Sequence, residues 1–206
     1  MRYKLSLLLF SLLSFSLLNG CGQLIKPNVK TDLAALKGGA YELDPEHSSV
    51  LFKVNHMGFS KFVGRFEQVQ ASLDFNPENI QQAKLHVIVD TGSIYVNNEA
   101  FELSLRGDSW LNVESFPQAE FYAEGVNKVD GSNLVFVGEL TFLGVSKTIE
   151  VHATFNGGAN NLLTQRYTIG FEASALFNRS DFGLNKYVPA VGDEIELEIH
   201  AEFQRK

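Results

Sequence analysis

Residues 194–203 read Glu194-Ile195-Glu196-Leu197-Glu198-Ile199-His200-Ala201-Glu202-Phe203, and this stretch decides the fold class. Side chains of a β-strand alternate between two faces, so apolar residues at every second position place one face on a core and the other in water. Here Ile195, Leu197, Ile199, Ala201 and Phe203 form one row, and the glutamates and His200 form the other. A slip of one residue would bury four carboxylates, so the facing of this strand is strongly specified.

The same period recurs upstream. Val50, Phe52 and Val54 alternate with Ser49, Lys53 and Asn55. Leu134, Phe136, Gly138, Leu140 and Phe142 form a second row, and Ile149, Val151, Ala153 and Phe155 a third. Tyr167, Ile169, Phe171, Ala173, Ala175 and Phe177 form a long fourth. Turn residues separate the rows at Asn76-Pro77-Glu78-Asn79, Asp130-Gly131-Ser132-Asn133, Leu143-Gly144-Val145-Ser146, Asn156-Gly157-Gly158 and Val191-Gly192-Asp193. One segment, from about Asn97 to Leu111, spaces Ala100, Phe101, Leu103, Leu105 and Trp110 in a more helical way and reads as a short helix. Gly64 and Gly138 interrupt apolar rows, where a missing side chain either permits a bend or leaves volume unfilled. About eight antiparallel strands with one helical connection define an all-β barrel or sandwich, and periodicity does not choose between them. A barrel of that size is either plugged by its own side chains or holds one small ligand.

Composition narrows the function. The 206 residues carry a net charge of −7, with no lysine or arginine run beyond the extreme N-terminus. This disfavours a nucleic-acid partner, which needs a concentrated basic surface. Among aromatics, 17 Phe stand against 6 Tyr and 1 Trp, which suits an apolar core or an apolar pocket.

The N-terminus reads as an address. Arg2 and Lys4 precede an apolar stretch from Leu5 to Leu18, followed by Asn19-Gly20-Cys21. A charged start, a short apolar run and a small residue before the cut make a secretory signal. Leu18-Asn19-Gly20-Cys21 resembles the bacterial lipoprotein cleavage box, and Cys21 is the sole cysteine of the chain, so it has no internal disulfide partner. The expected organisation is a lipoprotein signal peptide over 1–20, lipidated Cys21 with a tether over 21–40, and one barrel domain over 41–206. Gly22 lacks the aspartate of inner-membrane retention, so the expected location is the periplasmic face of a bacterial membrane, with the outer membrane favoured.

Four segments, in order, resemble the YceI-like family of exported proteins along Tyr41 to Phe203. The first is residues 41–66, with His47-Ser48, His56, and Gly64 followed by Phe66. The second is Trp110 to Phe121, the third Gly138 to Lys147, and the fourth Asn178-Arg179-Ser180-Asp181-Phe182-Gly183 with Val191-Gly192-Asp193. Two positions depart from the family pattern: Gly107 splits an Arg-Asp pair between Arg106 and Asp108, and Leu143 stands where relatives often carry His or Arg. The resemblance implies a lipocalin-like barrel with a long apolar tunnel for a polyisoprenoid or quinone-like lipid. Members often pair, so a homodimer is the implied oligomer.

On that reading Phe52, Val54, Phe66, Leu140, Phe142, Phe171 and Phe177 line the tunnel, and His56, Arg106, Arg179 and Asp181 meet the polar head group. Burial of a prenyl chain supplies the driving force. Five scattered histidines without His-x-His spacing argue against a metal site. The absence of a Gly-x-Ser-x-Gly elbow argues against an enzyme, and no cofactor is expected beyond a bound lipid. Two alternatives stand behind the lipid carrier: a partner-binding or stress-related lipoprotein whose barrel is filled by its own side chains, and a hydrolase or isomerase acting on a lipid head group.

Overall fold

The computed structural model describes residues 27–206; the expected signal peptide, residues 1–20, and Cys21 lie outside them. The strands are β1 (Gly39–Leu43), β2 (Ser49–His56), β3 (Ser60–Phe66), β4 (Val69–Phe75), β5 (Lys84–Asp90), β6 (Ile94–Tyr95), β7 (Gln118–Glu124), β8 (Lys128–Asp130), β9 (Asn133–Phe142), β10 (Val145–Asn160), β11 (Tyr167–Asn178) and β12 (Val191–Arg205). Among the described residues there is one α-helix, α1 (Glu99–Arg106), between β6 and β7.

Eight strands close a ring in the order β1-β4-β5-β7-β9-β10-β11-β12, and β12 returns to β1 through Leu43 opposite Phe203. All pairs are antiparallel, and because the ring closes through the β1–β12 pairing the architecture is a barrel and not a sandwich. Closure pairs each strand of the ring on both sides. Strands β1 and β2 lie end to end along the same edge of β12, since Ser49 faces His200 a few residues beyond the Leu43–Phe203 pair. Likewise β4 pairs with β1 while β3 pairs with β2, so both act as halves of long, broken strands.

The alternation of residues 194–203 becomes the inner and outer faces of β12. Outside, Lys53 of β2 lies opposite Glu196 and its ammonium reaches both Glu196 (3.2 Å) and Glu198, while Lys61 reaches Glu196 from β3, one strand further out on the same side. Two lysines, from β2 and β3, therefore reach over the row of glutamates, which offsets the like-charge repulsion along it.

Two turn signals have another meaning in the fold. Asn156-Gly157-Gly158 does not reverse the chain: β10 runs through it with a bulge between Phe155 and Gly157. Gly157 has φ +146, and a Cβ there would sit 2.1 Å from a Val29 methyl, because residues 29–30 cross the barrel at this point and Lys30 bridges to Gly158. Val191-Gly192-Asp193 is likewise a bulge at the start of β12.

Gly64 and Gly138 leave no void. A Cβ on Gly64 would meet the Phe52 ring at 2.4 Å, and one on Gly138 would meet the Tyr122 carbonyl oxygen at 2.4 Å. Each glycine is the floor on which a neighbour packs. The helix is also shorter than its sequence spacing predicts. Asn98 caps it by accepting the Phe101 amide (3.1 Å), the buried Glu102 carboxylate accepts the Val96 amide (2.9 Å), and Gly107 ends it.

One end of the barrel is packed solid. Tyr41, Phe75, Phe155, Ile169 and Leu36 fill it, and Tyr41 and Ile169 are fully buried. The Tyr41 hydroxyl donates to the Lys37 carbonyl, and burial pushes its pKa up to about 12. Phe155, Phe171 and Phe203 stack in tilted and edge contacts at 5.4 and 6.1 Å, the preferred geometry of aromatic pairs.

Candidate functional site

Beyond this plug the barrel is hollow. Large inward side chains fill a barrel of eight strands, but here Ala71, Ala119, Ala153, Ala173 and Ala201 point inward and leave space. An inner chamber of about 140 Å³ lies against the plug. A second chamber of about 420 Å³ continues from it to the opposite end, and Val50, Val89, Ala119, Leu140 and Leu197 line both. The inner chamber matches the size of an apolar cavity of roughly 150 Å³ that takes one benzene-sized group. The outer one falls in the range of about 300–1,000 Å³ usual for small-molecule sites.

The structure brings the seven sequence-predicted lining residues together on these walls. Phe52, Val54, Phe66, Leu140, Phe142 and Phe177 line the outer chamber and Phe171 the inner one. Phe142 and Phe177 meet at 6.3 Å, and both pack on Phe182. One side of the outer chamber consists of residues that strand periodicity does not reach. Phe101 and Leu105 come from one face of α1, while Trp110, Leu184 and Tyr187 come from the loops that follow α1 and β11. Spacing i, i+4 on a helix marks Phe101 and Leu105 as a pair; Tyr187 carries no pattern at all.

The four predicted head-group residues separate. His56 and Arg179 line the outer chamber and are the basic side chains on its wall among the described residues. Arg179 is 3% exposed and donates to the carbonyls of Gly192 (2.8 Å), Leu184 (2.8 Å) and Val191 (3.1 Å). Burial lowers its pKa and the nearby Asp193 opposes that shift. A guanidinium offers five N–H donors, so two remain beyond these three bonds. The three carbonyls tie the start of β12 to the end of β11 and shape the mouth.

Arg106 lies on neither chamber wall. Its guanidinium donates to the carbonyls of Gly92 (2.7 Å) and Ile94 (3.0 Å) and sits 3.7 Å from Glu102, which braces the turn between β5 and β6 beneath α1. Asp181 borders a separate polar groove of about 600 Å³ where β10 and β11 stop pairing. Leu143, the other departure from the family pattern, occupies a tight hairpin turn with φ +51. Where β1 gives way to β2, Asp44, His47 and Glu202 converge within 4.8 Å, and the Asp44 carboxylate is already hydrogen-bonded to the His47 ring at 2.9 Å.

A closed eight-stranded barrel with a blind apolar tunnel defines a class of binding proteins for long, thin apolar ligands. The YceI-like domain family matches residues 41–203, and the chain belongs to that family. It is 32% identical to a UPF0312 protein of Yersinia pestis (strain Pestoides F) over 164 residues, 79% of this chain and 84% of that one. A UPF0312 protein of Shewanella oneidensis is 31% identical, over 84% of this chain and 91% of that one. Among solved structures, BcnA of Burkholderia cenocepacia superposes with a TM-score of 0.71 at 22% identity, over 78% of this chain and 98% of that one. The YCEI protein of Campylobacter jejuni superposes at 0.66 and 28% identity, over 75% and 91%. A polyisoprenoid-binding domain from Saccharophagus degradans shares the fold at 0.61 and 11% identity, over 81% and 98%. No helix among the described residues is long and apolar enough to cross a membrane.

Proposed function

We propose that the protein holds the chain of a polyisoprenoid or quinone-like amphiphile in the tunnel, with the polar head at the mouth beside His56 and Arg179. The observation that carries this reading is the tunnel itself: two connected apolar chambers, blind at one end and open at the other. Each buried CH2 contributes about 0.8 kcal/mol, so a chain threaded inward is held by area alone. The unpaired donors of Arg179 suit an oxygen-rich head such as a pyrophosphate or a quinone carbonyl. The polyisoprenoid-binding domain of Saccharophagus degradans, which has the same fold, supports this choice of ligand. A barrel filled by its own side chains would have no chamber of about 420 Å³, which speaks against the structural-lipoprotein alternative.

In this reading the chain is exported, acylated at Cys21 and tethered to the periplasmic face of the outer membrane. Support comes from the signal-like residues 1–20 and from the path of residues 29–30 across the plugged end, which leaves the mouth clear of the described chain. The test is native mass spectrometry with farnesyl pyrophosphate and with a short-tailed prenyl quinone. One equivalent bound, with a raised melting temperature, is expected. No complex with either compound would reject the reading.

A further inference from the structure

The apolar lining of the tunnel does not stop at its mouth. The hairpin between β2 and β3 projects Met57 and Phe59, which are 56% and 84% exposed, and the adjacent loop projects Tyr187, 62% exposed. These two loops are tied together by the Met57 amide donating to the Ala190 carbonyl (2.9 Å). Tyr187 packs on Trp110 at 5.9 Å, and the Lys186 ammonium lies 5.0 Å from the Trp110 ring. Large apolar side chains this exposed, held in one place on a tied rim, call for a covering surface.

We infer that the rim docks on a lipid bilayer surface, inserting Phe59 and Met57 among the acyl chains so that a prenyl tail passes from bilayer to tunnel without crossing water. The inference rests on the lipid-binding reading above. Three observations select a bilayer as the occupant. The rim is continuous with the chamber, since Trp110 and Tyr187 belong to both. Its Trp, Tyr and Lys residues are the types that sit at the headgroup level of membranes, with Phe and Met positioned to go deeper. The first described residues lie at the opposite, plugged end, where Lys30 bridges Gly158, so nothing of the described chain covers the mouth.

Trp110, the single tryptophan, reports on this directly. The full chain is mixed with phosphatidylcholine vesicles whose acyl chains carry bromine, a contact quencher of indole. Sedimentation is not the readout, because residues 5–18 or an acyl group on Cys21 would hold the chain to vesicles by themselves. Quenching of Trp110 is expected, with at least half of it lost in Met57→Asn/Phe59→Ser. Asn accepts the positive φ of +57 at residue 57, and both side chains are exposed, so the fold persists. Replacing the exposed Leu162 and Leu163, beyond β10 at the plugged end, by Ser should leave the quenching unchanged.

No quenching in the unaltered chain would overturn the inference, as would equal quenching in the double variant, which means brominated lipid reaches Trp110 through the tunnel alone. Binding of farnesyl pyrophosphate in solution should be the same in the double variant, since neither residue lines the chambers. Loss of that binding in the unaltered chain would instead reject the tunnel reading.

Discussion

The carboxylate of Asp193 accepts both the amide (2.9 Å) and the hydroxyl (2.6 Å) of Ser180. This pair of hydrogen bonds pins the bulge of β12 to the turn after β11, beside the three carbonyls that Arg179 holds. Asp193→Ala removes two charge-assisted hydrogen bonds and a neighbouring carboxylate of a buried cation, and should destabilise the fold by about 2 kcal/mol. Urea denaturation measures it, and Asp193→Asn should recover part of the loss.

Gly64 and Gly138 make a graded pair. A methyl on Gly64 meets the distal edge of the Phe52 ring and a Val96 methyl, both of which move by side-chain rotation. One on Gly138 meets a backbone carbonyl at 2.4 Å, which moves only if β7 and β9 separate. Gly138→Ala should therefore lower the urea midpoint more than Gly64→Ala, each within the range of about 1–3 kcal/mol for overpacking. Gly64→Ala should also narrow the outer chamber, because Phe52 is part of its wall.

Ala119 lies where the two chambers join. Ala119→Leu should close the neck and shorten the chain the tunnel accepts. Keeping one five-carbon prenyl unit out of the benzene-sized inner chamber, at about 0.8 kcal/mol per carbon, lowers affinity by at least about a hundredfold. Long prenyl chains should weaken by that factor and two-unit chains should bind as before, read by titration calorimetry.

Lys53 and Lys61 hold the carboxyls of Glu196 and Glu198 below the usual carboxylate range through hydrogen bonds, with His200 assisting at Glu198. Groups with a lowered folded-state pKa stabilise the protein above the unfolded carboxylate pKa, and that stability is lost as pH falls through the folded value. The melting temperature should thus drop between about pH 5 and pH 3. The drop should be smaller in Lys53→Met, where Glu198 loses its lysine while Glu196 keeps Lys61.

The strands were legible because each inner row must exclude charge: β12 reads correctly from its glutamates alone. The tunnel lining followed from the same rows, since Phe52, Leu140 and Phe171 face inward wherever their strands do. What the period could not supply is spatial adjacency across loops. Tyr187 and Trp110 meet only because Arg179 draws the chain after β11 over the mouth. The glycines misled for a related reason: the ring that packs on Gly64 comes from the neighbouring strand, which periodicity within one strand does not see. Arg106 and Arg179 look alike in sequence, yet one braces a turn beneath α1 and the other faces the cavity, a difference set by which carbonyls lie within reach.

The most direct measurement is mass spectrometry of an organic extract of the protein purified from a bacterial envelope without added lipid. The account predicts about one equivalent of a prenyl-chain amphiphile, reduced when Ala119→Leu closes the neck. An extract with no such species, from protein whose melting temperature also ignores added farnesyl pyrophosphate and prenyl quinone, would contradict it.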